Sequence, residues 1–156
     1  MPNLLVIGIG NEFRGDDMAG LLVARQVKAR SPDQAHVCEA NGEGVALMEL
    51  WQDAEVVILI DAVQAGGAPG TIYRLDARAE KIPSKFFHYS THAFSVAEAV
   101  ELARALNQLP STLIVYGIEG RQYDMGSSLS PAVEQAIGQV VERVVQTCET
   151  SHPLPF

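Results

Sequence analysis

The feature that most constrains this chain is a succession of short, unbroken apolar runs alternating with stretches of helical periodicity. Leu4–Ile7 is the first run; Gly8-Ile9-Gly10-Asn11 ends it, so it reads as a buried strand and a tight turn. Ala19, Leu22, Val23 and Val27 then recur at helical spacing with Arg25 and Lys28 opposite, until Ser31-Pro32 stops the helix. His36–Glu39 predicts a shorter second strand, and Asn41–Gly44 a turn into a helix around residues 45–51. Glu55–Ile60, closed by Asp61, is the clearest strand; residues 66–70 form a loop, and Thr71–Leu75 a fourth strand near an edge. Ser95-Val96-Ala97-Glu98 reads as a capping box opening a helix that ends around 107–110. Ser111–Ile118 is the last strand, and Ser130-Pro131 opens a final helix with a polar cap and proline at its first position. Strands that are apolar throughout need cover on both faces. The pattern therefore predicts a three-layer α/β/α sandwich with a five-stranded, mostly parallel sheet.

At 156 residues, 47% of them hydrophobic and 19% charged, the chain suits one domain over 1–150 with a loosely held tail at 151–156. Eleven basic against nineteen acidic residues give a net charge of -8, which argues against nucleic acid or an anionic membrane as partner. The longest apolar run, Val56–Ile60, is strand-length and far short of the ~20 residues a membrane span needs. Residues 1–6 lack the basic stretch of an export signal. Cys38 and Cys148 match no metal-ligand spacing and read as small core residues of a reduced, cytoplasmic protein.

Ligands of such folds sit at the carboxyl ends of the strands. A dinucleotide site would want glycine at position 13 after Gly8 and Gly10; Phe13 stands there instead, and Asp16 and Asp17 would face the phosphate. Carboxylates suit a cation better. Asp17 in the first turn of the first helix, Asp61 at the tip of the strongest strand and His92 just before the helix at Ser95 all fall on one rim. Two oxygens and an imidazole are reasonable ligands for nickel or zinc. Each has a plainer reading: a first-turn Asp answers the helix dipole, an Asp after a strand caps a loop, and a loop histidine is commonly solvated. His88 is the nearest rival histidine. Cys38 and Ser90 are conceivable nucleophiles without an assignable base.

The combination resembles the NiFe-hydrogenase maturation endopeptidases through nearly the whole chain. It is carried by Gly8-Ile9-Gly10-Asn11, then Gly15-Asp16-Asp17 and Gly20, then Ile60-Asp61-Ala62, Ser90-Thr91-His92, Tyr116-Gly117-Ile118-Glu119 and Leu129-Ser130-Pro131. The resemblance implies a five-stranded mixed sheet between helices. It also implies an enzyme that removes a C-terminal extension from the hydrogenase large-subunit precursor after nickel insertion. Asp17, Asp61 and His92 would contact nickel carried by the substrate, with no tightly bound cofactor of the enzyme's own; Gly10, Asn11, Asp16 and Glu39 would touch the substrate. Two positions depart from the family pattern: Met18 replaces a frequent Gly, and Glu39-Ala40-Asn41-Gly42 replaces a frequent Asp-Gly-Gly-Thr. The expected partner is the nickel-loaded precursor, met by a monomer. The competing readings are a non-catalytic nickel-sensing chaperone and, third, a nucleotide-binding domain.

Overall fold

The computed structural model describes residues 4–31, 33–83, 86–87 and 94–150. Five strands form one sheet in the order β2-β1-β3-β5-β4: β1 (Leu4–Ile9), β2 (His36–Ala40), β3 (Val56–Val63), β4 (Ile72–Asp76) and β5 (Thr112–Glu119). The first three and β5 are parallel, and β4 is antiparallel to β5. The reason lies in the connection. Only residues 64–71 link β3 to β4, too few for the crossover a parallel return requires.

Helices α1 (Ala19–Arg30) and α4 (Pro131–Glu149) cover one face, and α2 (Gly44–Trp51) and α3 (Val96–Ala105) the other. Alternate residues of the central strands feed each layer. Val56, Ile58, Ile60 and Ala62 of β3 pack with α1 and α4, whereas Val57, Leu59 and Val63 pack with α2 and α3. Every residue of β1 and β3 is buried, while the edge strands β2 and β4 are half-exposed. The predicted architecture holds.

Helix α1 lies unusually close to the sheet because glycine meets glycine there. A Cβ on Gly8 would fall 2.2 Å from the carbonyl oxygen of Gly20, and one on Gly20 would fall 2.2 Å from that of Ile9 and 2.3 Å from that of Ile60. Three helix starts differ from the sequence reading or refine it. Residues Gly15–Met18 form a short 3-10 turn of their own, so α1 begins only at Ala19. The Ser130 hydroxyl does not cap α4; it is drawn away to a stronger, charged acceptor described below. Glu43, read as part of a turn, caps α2 by accepting from the amides of Val45 (2.8 Å) and Ala46 (3.0 Å). At α3 the Glu98 carboxylate turns back as expected and accepts from both the amide (2.9 Å) and the hydroxyl (2.6 Å) of Ser95.

Candidate active site

The chain leaves β1 toward α1 and β2 on one side, and continues through β3 toward β5 and β4 on the other. The carboxyl ends of β1 and β3 therefore flank the point where the winding reverses, the natural crevice of an open α/β sheet. Pairing between β1 and β3 ends at Gly8 and Ile60, yet β3 runs on to Val63 alongside β5, with an isolated bridge to Phe87 at its end. Asp61 belongs to this overhang. It is not at the strand's tip but inside it, opposite Gly117, because β5 continues to supply partners after β1 has turned away.

Asp17 arrives from the other side of the crevice on the 3-10 turn, which packs against β3. Gly10 makes that approach possible: a Cβ there would sit 2.2 Å from the carbonyl oxygen of Asp17. Asn11 steadies the Asp17 carboxylate with a 2.8 Å hydrogen bond from Nδ2 to Oδ2. Both acids are nearly covered, Asp17 being 6% and Asp61 8% exposed. Burial pushes the Asp17 carboxyl up from its ordinary value, against the pull of Asn11 and Arg14. Asp61 is pushed well above its ordinary value by burial and then by the neighbouring charge of Asp17; the Ala62 amide, donating at 2.8 Å, is its one hydrogen-bond partner among the described residues. Two carboxylates that repel one another in a poorly solvated crevice favour the uptake of a proton or a cation.

His92 and the rival His88 lie outside the described residues, as does Ser90. Among the described residues no three His, Cys, Asp or Glu side chains gather to hold a metal. The described residues on either side of the 88–93 segment are fixed near the crevice. Phe87 bridges Val63, two positions beyond Asp61, and the Phe94 carbonyl accepts from the Gly44 amide at the start of α2 (2.8 Å).

Asp16 plays a different part from its neighbour. It is fully buried, and its carboxylate accepts from the amides of Arg121 (2.7 Å), Gln122 (3.0 Å) and Ser130 (2.8 Å) and from the Ser130 hydroxyl (2.7 Å). Its own amide donates to the Gln122 carbonyl at 2.8 Å. Asp16 thus fastens the 3-10 turn, and Asp17 with it, to the loop between β5 and α4, and its oxygens are spent on that task. This residue was legible as acidic but not as a clamp, since its donors lie more than a hundred positions downstream. Glu119, another residue of the sequence pattern, similarly orders the loop after β3 by accepting from Ala65, Gly67 and the Tyr73 hydroxyl.

A cavity of about 690 Å³ opens beside this crevice, lined by Gly10, Asn11, Glu39 and Ala40 on the strand ends and by Ala46 and Leu50 on α2. Glu39 stands on its wall, exposed, and is gripped through both oxygens by Arg25, which also pairs with Glu12. Gly10, Asn11 and Glu39 therefore share one hollow, whereas Asp16 is buried outside its lining, against the β5–α4 loop. The two thiols are free, but burial raises both, Cys148 to about 11, so neither reads as a nucleophile.

Residues 21–147 match the hydrogenase maturation protease family. The hydrogenase expression/formation protein HoxM of Azotobacter vinelandii is 28% identical over 158 residues, spanning 92% of this chain and 75% of that protein. Among solved structures, the hydrogenase maturating endopeptidase HybD from E. coli superposes with a TM-score of 0.77 at 25% identity, covering 97% of this chain and 94% of that one. The NiFe hydrogenase maturation protease HycI from Thermococcus kodakarensis KOD1 shares the fold, with a TM-score of 0.71 at 21% identity over 94% and 92% of the two chains.

Proposed function

We propose, on the premise that this chain belongs to the hydrogenase maturation protease family and is a peptidase, that it removes the C-terminal extension of a NiFe-hydrogenase large-subunit precursor once nickel is in place. The nickel carried by that precursor is the cue. The observation that supports this reading is the meeting of Asp17, from the 3-10 turn, and Asp61, from β3, at the sheet's reversal point, with no ion pair to either among the described residues. Two hard oxygens offer modest affinity, which suits a site that must report on metal in another protein rather than keep its own. His92 completes the set by family resemblance; it precedes Phe94, itself anchored at the start of α2, by two residues.

Peptide hydrolysis needs an activated water, a proton for the leaving amine and a stabilised oxyanion. Docking the substrate's metal on Asp17 and Asp61 would fix the scissile bond at the rim, so positioning supplies much of the rate and most of the selectivity. A carboxyl that burial and a neighbouring acid push well above its ordinary value holds a proton more readily, and Asp61 is the group best suited to move one at the cut. The neighbouring hollow at Gly10, Asn11 and Glu39 would take the chain flanking the cut. We place this action in the cytoplasm, where the two free thiols are at home.

The test is incubation of nickel-loaded and nickel-free precursor with the wild-type protein and with His92→Ala, read by mass spectrometry. Only the wild type acting on the loaded precursor should release the extension. Equal cutting of both precursors would remove nickel as the cue, and normal cutting by His92→Ala would remove that residue as a ligand. Capture of the loaded precursor without any cleavage would identify a chaperone instead.

A further inference from the structure

We propose that Phe13 and Met125 together form the apolar grip by which the enzyme holds the body of its protein substrate beside the acid pair. The inference rests on the proteolytic reading above. Phe13 is 69% exposed and Met125 66%, the two most exposed large apolar side chains among the described residues. Phe13 is also bent into the left-handed region, with φ at +66°. That conformation crowds a Cβ and suits glycine or asparagine. The other described non-glycine residue with positive φ, at the end of α3, is indeed an asparagine, Asn107. A large aromatic ring at such a turn is therefore unfavourable twice over, by strain and by hydration, with no packing in return.

The placement is nonetheless enforced. The Gly126 amide donates to the Phe13 carbonyl at 2.6 Å, joining the loop after β1 to the loop before α4. Asp16 clamps those same two loops together a few residues away. Phe13 is thereby bonded to Gly126, the residue after Met125, so the two exposed side chains rise from neighbouring points of two mutually braced loops. Asn11, two residues before Phe13, holds Asp17 directly, so the apolar pair and the acid share one rim. Exposed aromatic and methionine side chains are enriched among the anchors of protein–protein contacts. The occupant is the apolar surface flanking the metal-bearing end of the large-subunit precursor: projecting side chains meet another surface, whereas a peptide tail alone would lie in the hollow at Glu39.

The experiment measures binding of purified, nickel-loaded precursor to immobilised enzyme, alongside cleavage by the wild type. Phe13→Gly removes the ring and relieves the backbone, so it folds; Met125→Ala probes the second loop independently. Each should weaken precursor binding by about tenfold or more, while Leu106→Ala, an exposed apolar residue at the end of α3, should leave it unchanged. Wild-type affinity in both Phe13→Gly and Met125→Ala overturns the grip while leaving the protease reading intact if the wild type still cuts. A wild type that neither binds nor cuts the loaded precursor overturns both.

Discussion

Replacing Asp16 tests how the site is held. Asp16→Ala strands three amides, those of Arg121, Gln122 and Ser130, each now within 3.0 Å of a carboxylate oxygen. The Ser130 hydroxyl is not stranded, because it can rotate to cap α4, whose first residue is Pro131. A buried donor left without a partner costs about 1–3 kcal/mol, and the bond to a charged acceptor lies at the upper end. Arg121 is exposed, so water can repair its amide. The net loss should be about 3–6 kcal/mol, a large part of the roughly 5–15 kcal/mol that holds a domain together. Asp16→Asn keeps one acceptor but turns an NH2 toward one donor, for about 1–3 kcal/mol. At this chain length that is a fall in Tm of about 2–4 °C per kcal/mol. Urea unfolding followed by far-UV circular dichroism reads both variants; the midpoint should drop with the slope unchanged. An Asp16→Ala protein within about 1 kcal/mol of wild type would refute the clamp.

Asp61→Asn should abolish processing yet stabilise the fold at pH 7 by about 1–3 kcal/mol, since it removes a charge held in a dry crevice beside Asp17. The folded-state carboxyl is raised, so its contribution to stability is full below the unfolded value of 3.8 and is lost as pH rises through the folded value. The Tm gap between variant and wild type should therefore narrow on acidification, and melts at pH 7.5 and 5 showing a constant gap would contradict that cause. Gly20→Ala should destabilise by at least about 1–3 kcal/mol, because its methyl would meet two fixed carbonyls at 2.2 and 2.3 Å. Gly138→Ala, in open space on α4, should instead gain about 0.5–1 kcal/mol; equal denaturation midpoints for these two would defeat the packing argument. Glu43→Ala should cost about 1 kcal/mol through the lost cap of α2, visible as a shifted urea midpoint.

The layered fold was legible because its signal is local: unbroken apolar runs mean strands covered on both faces, and β1 and β3 are buried along their whole length. Asp17 and Asp61 were legible as rim acids because parallel strands present their carboxyl ends together. What sequence periodicity could not show is where a strand outlasts its neighbour. Asp61 looks terminal in the sequence, but β5 carries the ladder two residues further. Nor could it separate Asp16 from Asp17, adjacent acids of which one is spent on amides from the β5–α4 loop and the other faces the crevice. Ser130 and Pro131 open α4 as read, but the Ser130 hydroxyl leaves its capping role for a carboxylate supplied from 114 residues away.

The hollow beside the crevice has a consequence for how such enzymes diversify. Gly8 and Gly20 are hemmed in by carbonyls that a Cβ would meet at 2.2 Å. Glu39, Asn41, Glu49 and Leu50, which wall the hollow, are exposed, and the bonds of Glu39 to Arg25 and of Asn41 to the Glu43 amide lie at the surface. With the hollow taking the substrate as proposed, mutation along the β2–α2 flank would redraw substrate preference without disturbing Asp17 and Asp61, so paralogues serving different precursors should differ there first.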